Sequence, residues 1–289
     1  MSNIDKGVNV INRLFIYSFR YVVMILFSVI VLLPFIWMFF SSFRMHEEIF
    51  KYTSFQWQLF LPVDWTFHNY IDLFTDPSKP FGRVILNSLL VSLTVTALGL
   101  LVNSLAAFAF GKLHFRMKKY VFALFLSSLV IPYEVTMIPL YMLVRDLGWI
   151  NSYEALIFPQ IVWVFGVFLL TQFYAEIPRD ILDAARMDGA TWLQVYWRIA
   201  VPTAVPAMIT LALLTFLNQW DAFLWPLIVI NDEKKQMIQV VISSFQSLRG
   251  ISWGKILAAS SVGSIPILVL FLFLQKYYVQ GVTQSGVKG

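Results

Sequence analysis

The residues with the clearest chemical potential are two acids inside otherwise uncharged apolar stretches, Glu134 and Asp221. Such acids are costly to bury and usually face water or the interior of a protein. Around Asp221 there are also amide and indole side chains, and the whole group is Asn218, Gln219, Trp220, Asp221 and Trp225. Amides and carboxylates bind hydroxyls while indole faces pack on sugar rings, so the group suits a sugar. Hydrogen bonding between helices or to a partner subunit is the alternative for the same residues.

Other chemistry is missing from the sequence. It contains neither the glycine-rich phosphate loop nor the dinucleotide-binding pattern. His46, His68 and His114 are scattered without ligand spacing, and there are 0 cysteines. We therefore predict no catalytic residue, no metal site and no cofactor held by this chain.

The composition indicates the elements that must position these residues. Of 289 residues, 59% are hydrophobic and 13% are charged, and the mean hydropathy is +0.73. A soluble chain of this length needs more polar residues to cover its surface. The net charge of +5 could suggest nucleic acid, but in a chain this apolar a basic excess reports membrane topology. We predict a membrane protein with lipid contacts and no nucleic-acid partner.

Six stretches are long and apolar enough to span a bilayer as helices. They are residues 21–40, 84–110, 120–144, 155–175, 199–230 and 256–275. They lack the alternation of a β-barrel, so the predicted fold class is an all-α integral membrane protein with six transmembrane helices. The first stretch is longer than a signal-peptide core, and we expect it to be retained. Within the third, Pro132 removes a backbone hydrogen bond, so we expect a local break beside Glu134.

Basic residues in the short loops predict the orientation. The loop 111–119 carries four basic residues and no acid, namely Lys112, Arg116, Lys118 and Lys119. The N-terminal segment is also basic, whereas the loops 41–83, 145–154 and 231–255 mix the two signs almost evenly. With six spans, both termini and the loop 111–119 lie on one side. We expect that side to be the cytoplasm.

The loop 176–202 has the most distinctive pattern. Ile177, Ile181, Ala184, Ala185 and Asp188 fall on one face of a predicted short helix, with Pro178 in its first turn. Gly189 ends this helix. A capping box formed by Thr191 and Gln194 starts a second helix, which Pro202 ends. The small alanines leave a shallow surface for a partner protein. An interfacial helix on lipid headgroups is the alternative, but the acids in this segment disfavour anionic lipid.

The segment 183–190, together with Ile199 and Pro202, resembles the EAA loop of ABC importer permeases, most of all the carbohydrate-uptake branch with its MalG-like subunits. Three further stretches resemble that branch in order. They are 130–132 with 138–141 in the third span, 220–227 in the fifth, and 275–281 with 286–289 at the C-terminus. The sequence has Asp183 where the family usually has Glu, and Asp221 where Asn is more usual.

The resemblance implies a coupling helix that sits in a groove of a cytoplasmic ATPase subunit. The implied coupling residues are Asp183, Ala184, Ala185, Asp188, Gly189, Ala190, Ile199 and Pro202. The implied partners are a second, MalF-like permease, two cytoplasmic ATP-binding subunits that hold ATP and Mg, and an extracytoplasmic solute-binding protein. The substrate would be a sugar or oligosaccharide, carried across the cell membrane by alternating access. The candidate residues of its translocation path are Glu134, Asn218, Gln219, Trp220, Asp221 and Trp225.

The predicted organisation is a cytoplasmic N-terminal segment 1–20, a transmembrane domain 21–275 with its core at about 83–275, and a cytoplasmic tail 276–289. The tail could reach the ATPase interface or fray. Two alternatives in function stay open. One is an importer for sn-glycerol-3-phosphate or a polyol, and the other is an ion-coupled secondary transporter that uses Glu134 as a proton relay.

Overall fold

The computed structural model describes residues 2–52, 54, 56–247 and 250–285. Within these ranges, side chains are described from residue 16 to residue 275, except at residue 247. Nearly all regular elements are helices. They are α1 (Ser2–Ser41), α2 (Trp57–Phe60), α3 (His68–Thr75), α4 (Phe81–Lys112), α5 (Lys118–Ser127), α6 (Tyr133–Asp146), α7 (Tyr153–Ile157), α8 (Val164–Glu176), α9 (Arg179–Met187), α10 (Trp192–Val195), α11 (Val201–Thr203), α12 (Val205–Trp220), α13 (Leu224–Val229), α14 (Ile238–Ser244) and α15 (Trp253–Ser285).

Short connectors complete the chain. Three 3₁₀ turns cover Ser128–Val130, Phe158–Gln160 and Glu233–Lys235, and a π-helical turn covers Tyr196–Ala200. Two short strands, β1 (Gln246–Ser247) and β2 (Gly250–Ile251), pair antiparallel with Gln246 opposite Ile251. The chain divides into two compact units, Met1–Leu73 with Phe245–Val262, and Phe74–Ser244 with Gly263–Gly289.

In the first unit, buried polar groups hold the segment that follows α1. Arg44 is fully buried, and its Nη2 donates to Gln58 O at 2.8 Å and Leu59 O at 3.0 Å. Burial lowers the pKa of the Arg44 guanidinium, and nearby Glu48 opposes that shift. Asn69 Nδ2 donates to Ser42 O and Arg44 O, both at 2.8 Å. These bonds tie the loop after α1 to α3.

In the second unit, α4 is central and packs against α8, α12 and α14. Its buried stripe is made largely of small and polar residues, which lets helices approach closely where lipid replaces water. Asn103 shows how the polar members act, because its Nδ2 donates to Ile161 O at 3.1 Å while its Oδ1 accepts from Trp163 N at 3.0 Å. The side chain thereby satisfies backbone groups where the chain is irregular between α7 and α8.

Two of the six predicted spans are helix pairs with a sharp bend between them. The stretch 120–144 is broken between Lys118–Val130 and Tyr133–Asp146, which meet at 103°. Ile131 and Pro132 are extended there, because the residue before a proline disfavours the helical region. The break expected at Pro132 is therefore present.

The prediction of a single helix over residues 199–230 was wrong. The pair Trp192–Thr203 and Val205–Trp220 is bent by 79°, and α12 ends at Trp220 before α13 begins at Leu224. Pro202 does not end the preceding helix. It lies in the first turn of α11, where proline is tolerated, and the bend comes at Ala204.

Within the described residues, four helices are long and apolar enough to cross a membrane. They are Ile16–Ser41, Phe81–Lys112, Tyr153–Glu176 and Trp253–Gln275. The number rises to six if each bent pair counts as one span. Of the predicted tail 276–289, α15 includes the part up to Ser285, and residues 286–289 lie outside the described residues.

Candidate functional site

The segment between α8 and α12 forms the two short helices that its pattern predicts. Pro178 precedes α9 with an extended ψ of 135°, so the helix begins at Arg179. At the other end Gly189 has a φ of +85°, a conformation that favours glycine. The turn is closed by Ala190 N, which donates to Ala185 O at 3.0 Å. Gly189 therefore ends α9, as predicted.

The second helix starts at the predicted capping box. Gln194 N donates to Thr191 Oγ1 at 3.3 Å, and Thr191 N donates to Gln194 Oε1 at 2.7 Å. Across the turn, Arg186 contacts the next helix, since its Nη1 donates to Ala190 O at 2.6 Å and its guanidinium lies over the Trp192 ring. The two short helices are thus fixed relative to each other by side chains of the segment itself.

The buried face of α9 differs from the predicted one. Within α9, all of which the structure describes, the one buried residue is Leu182. Ala185 and Ala190 are half-buried and pack against the same apolar cluster, as does Ile199. Of the residues predicted to share one face, Ile177 is buried. Ile181, Ala184 and Asp188 are exposed, so the predicted face is not the buried one. Leu182 packs in the apolar cluster, so the buried face of α9 is centred on Leu182 and not on the predicted residues.

The exposed side of this segment carries most of the implied coupling residues. Asp183, Ala184, Asp188, Gly189 and Pro202 are all exposed. Met187, which the sequence pattern did not single out, is 84% exposed. An exposed methionine between acids and alanines is a surface with both apolar contact area and hydrogen-bond acceptors. That combination fits a protein partner better than anionic lipid.

An open cavity of about 1120 Å³ lies in the second unit. It is lined by residues of α6, α12 and α13 and of the connection between α7 and α8. Of the predicted path residues, it contains Asn218, Gln219, Asp221 and Trp225. Asn218 and Asp221 are exposed to it, and Asp221 Oδ1 accepts from Gln239 Nε2 at 3.1 Å. Trp220 and Glu134 are not among its lining residues.

The two predicted tryptophans are held by internal bonds. Trp220 is 1% exposed, stacks on Phe216 and donates its Nε1–H to Gly263 O at 3.0 Å. Trp225 is buried as well, and its Nε1 donates to Ala155 O at 2.9 Å. Their indole N–H groups bond between helices, which is the alternative that the sequence left open for them.

Three cavity residues were missed by the sequence reasoning. Gln160 Nε2 donates to the Tyr133 hydroxyl at 2.8 Å, which links the break before α6 to the 3₁₀ turn after α7. Trp163 lines the same cavity. Gln160 is an amide next to Pro159 in an otherwise apolar stretch, and this signal could have marked it. Within the described residues, no three acidic or histidine side chains are grouped to hold a metal ion.

The sequence of residues 99–284 matches the profile of a known family, the binding-protein-dependent transport system inner membrane component. The chain belongs to this family. It is therefore a multi-pass inner-membrane permease component of an ABC importer, as the EAA-like segment implied. Membership of this family decides against the ion-coupled secondary transporter.

Named relatives cover most of this permease. It is 36% identical over 228 residues to the arabinooligosaccharides transport system permease protein AraQ of Bacillus subtilis, covering 79% of this chain and 81% of the relative. It is 31% identical over 274 residues to the trehalose/maltose transport system permease protein MalG of Thermococcus litoralis, covering 92% and 94%.

The fold is also found in a solved transporter. One chain in the crystal structure of a bacterial ABC transporter that imports the acidic polysaccharide alginate aligns with a TM-score of 0.77. The alignment covers 96% of the permease and 99% of that chain at 22% sequence identity. At this identity the likeness concerns the fold alone.

Proposed function

We propose that this permease imports a sugar or oligosaccharide as one of two different membrane subunits of an ABC importer. Two cytoplasmic subunits bind ATP and Mg and supply the energy, and an extracytoplasmic solute-binding protein delivers the substrate. The second permease is MalF-like and completes the path. This chain carries out no chemical step, and its task is to convert motion of the ATPase subunits into alternating access.

The observation that carries the proposal is the exposed side of α9 beside the turn at Gly189. Asp183 and Asp188 are exposed acceptors for charge-assisted hydrogen bonds from a partner. Ala184 is exposed between them and lets a partner surface approach closely. Leu182 fixes the opposite side of α9 to the core, so a force on the exposed side is passed to the helices.

The cavity supplies chemistry that suits a saccharide. Asn218 and Gln219 offer amide donors and acceptors, and Asp221 offers a carboxylate. Trp163 and Tyr133 add aromatic surface for the apolar faces of sugar rings. The relatives named for arabinooligosaccharides and for trehalose and maltose support the same substrate class. We assign Glu134, which lies outside this lining, to the helix break and not to direct contact with the substrate.

The proposed topology has six spans with both termini in the cytoplasm, each bent helix pair counting as one span. This arrangement puts the basic loop 111–119 and α9 on the cytoplasmic side, where the ATPase subunits lie. It leaves the mixed-charge loops 41–83 and 231–255 outside, available to the solute-binding protein. Tryptophans in these loops, such as Trp57 and Trp65, are exposed and are alternatively lipid-interface anchors.

The test uses the importer purified through a tag on this chain and reconstituted in proteoliposomes. ATP hydrolysis and solute uptake are measured together, with Asp183→Ala, Asp188→Ala and the double variant compared with the unaltered complex. We expect the double variant to lose ATP-driven uptake while the protein still inserts. Accumulation of solute by this chain alone without nucleotide would overturn the proposal.

A further inference from the structure

One face of α4 carries three buried residues at intervals of four, Ser104, Phe108 and Lys112, here called the α4 stripe. Residues spaced by four lie above one another on a helix. The stripe faces α8 and the π-helical turn after α10, which are the two parts of the chain that enter and leave the coupling segment 177–195. We call the end of α8 the entering arm and the π-helical turn Tyr196–Ala200 the leaving arm. Each residue of the stripe contacts at least one of these arms.

Ser104 is bonded to both arms. Its hydroxyl lies 2.5 Å from the Tyr174 hydroxyl at the end of α8, and it accepts a hydrogen bond from the Tyr196 hydroxyl at 3.0 Å. The exposed fraction is 0% for Ser104, 0% for Tyr174 and 1% for Tyr196. Buried hydroxyls that lose a partner are costly, so this bond network strongly favours the docked position of both arms.

Phe108 contacts the same two arms one turn further on. Its ring centre is 5.8 Å from that of Tyr174 and 5.4 Å from that of Tyr196. Its ring centre is also 6.5 Å from that of Trp192, and the guanidinium of Arg186 in α9 lies over the Trp192 ring. A continuous contact therefore runs from Arg186 through Trp192 to Phe108.

Lys112 holds the entering arm at the last turn of α4. Its Nζ donates to Ala175 O in the last turn of α8 at 3.0 Å and to Ile177 O at the start of the coupling segment at 2.5 Å. Next to it, a β-carbon added at Gly111 would lie 3.0 Å from Tyr174 Cβ, so α4 and α8 are in close contact here. A lysine is a suitable partner for carbonyls that a helix end leaves free.

We propose that the α4 stripe is the surface that receives motion of the coupling segment, and that Ser104 is its principal positioning residue. Because both arms are bonded to one rigid helix, displacement of α9 carries α4 with it instead of bending the arms. The inference deepens the proposed coupling function and rests on it. Because the stripe residues are buried within this chain, they act by positioning the two arms.

The experiment measures whether the coupling segment and α4 move as one body. The chain has 0 cysteines, so Leu105→Cys on α4 and Leu193→Cys in α10, both exposed, give a unique pair for spin labels. The labelled complex must first show ATP-driven uptake in proteoliposomes. Pulsed electron paramagnetic resonance then gives the distance distribution without nucleotide and with ATP trapped by vanadate.

We expect one narrow distance, unchanged by nucleotide, in the parent. Ser104→Ala removes the bonds to both Tyr174 and Tyr196, so it should raise the population of a second distance at least about fivefold and lower the solute moved per ATP hydrolysed. Tyr196→Phe should act in the same way while keeping its contact with Phe108. Adding it to Ser104→Ala should change little, because the two residues share one bond. Tyr120→Phe, whose side chain is 72% exposed, is the matched control.

The outcomes separate this inference from the coupling proposal. If the labelled parent is active and both Ser104→Ala and Tyr196→Phe keep one distance and a normal transport ratio, the stripe is merely structural and the inference is overturned. If Ser104→Ala does not fold, Tyr196→Phe still decides, since it removes a single oxygen atom. Failure of the coupling proposal shows separately, as normal coupled uptake in the Asp183→Ala and Asp188→Ala double variant.

Discussion

The guanidinium carbon of Arg186 lies 5.1 Å from the centre of the Trp192 ring, across the turn at Gly189. Arg186 belongs to α9 and Trp192 to α10, so one side chain bridges the two short helices. The same guanidinium donates to Ala190 O inside the turn. An exposed contact of this kind contributes about 0.5–1 kcal/mol, and the hydrogen bond adds to it. Together they favour one angle between α9 and α10.

Replacing Arg186 by lysine tests this bridge. Arg186→Lys keeps the positive charge but loses the planar group that stacks and bonds at once. We expect less solute transported per ATP hydrolysed, with ATP hydrolysis itself retained. Arg179→Lys in the same helix is the control and should couple normally. Equal coupling in the two variants would contradict a role for the bridge.

Gly189→Leu should uncouple ATP hydrolysis from uptake while the protein still inserts. A β-carbon at Gly189 would meet open space among the described residues, so the cost arises from the φ of +85° and not from a clash. That strain is about 1–2 kcal/mol for most residues. Substrate-stimulated ATPase activity and transport, measured together in vesicles, give the result.

Gly148 provides the matched control for this substitution, since its φ is +72° and a β-carbon there also meets open space. Gly148→Leu carries the same kind of strain but lies between α6 and α7, away from the coupling segment. Gly189→Asn should restore much of the coupling, because asparagine tolerates the left-handed region. Coupled transport by Gly189→Leu at the normal ratio would count against the docking of α9.

Asn218→Ala should lower the rate of solute uptake at limiting concentration about tenfold, the effect of one lost polar contact of ordinary strength. Asn218 is exposed in the cavity and is free of the internal bonds that hold Trp220 and Trp225. Radiolabelled uptake against substrate concentration is the measurement. Ser127→Ala, at an exposed hydroxyl that bonds only to Leu124 O of its own helix, is the control and should leave uptake unchanged. Unchanged uptake in Asn218→Ala would remove this residue from the path.

Trp220→Phe should weaken the fold without changing apparent substrate affinity. The substitution removes the bond from Nε1 to Gly263 O, a loss of about 1 kcal/mol, while the ring still packs on Phe216. The melting temperature of the purified complex should fall, and the concentration for half-maximal uptake should stay the same. A weaker affinity with no change in melting would instead assign Trp220 to the substrate.

The six-span topology predicts which residues an impermeant thiol reagent reaches. Glu233→Cys, exposed between α13 and α14, should react in intact spheroplasts, and Lys119→Cys should react only after the membrane is opened. The chain has 0 cysteines, so each variant carries one thiol. Reaction of Lys119→Cys from outside would contradict the cytoplasmic position of the loop 111–119.

Several features were predictable because their signals are local. The φ preference of Gly189 and the capping box of Thr191 and Gln194 involve atoms within four residues of one another. Pro132 similarly forces the extended backbone that breaks the third span. The apolar stretches identify a membrane protein through composition alone, and the EAA-like segment identifies the family.

The tertiary structure decided which faces are buried and which residues meet. In a membrane helix nearly every residue is apolar, so no periodicity marks the buried residues of α4. In α9, Ile181 and Leu182 are adjacent apolar residues, and only packing against the core selects Leu182 for burial. In the sequence Lys112 reads as a topology signal, yet it is 6% exposed and bonded to carbonyls more than sixty residues away. Ser104, Tyr174 and Tyr196 converge across separations of 70 and 92 residues. Helix packing alone creates these contacts, because hydrogen bonds over such separations depend on the three-dimensional approach of the helices and leave no local pattern.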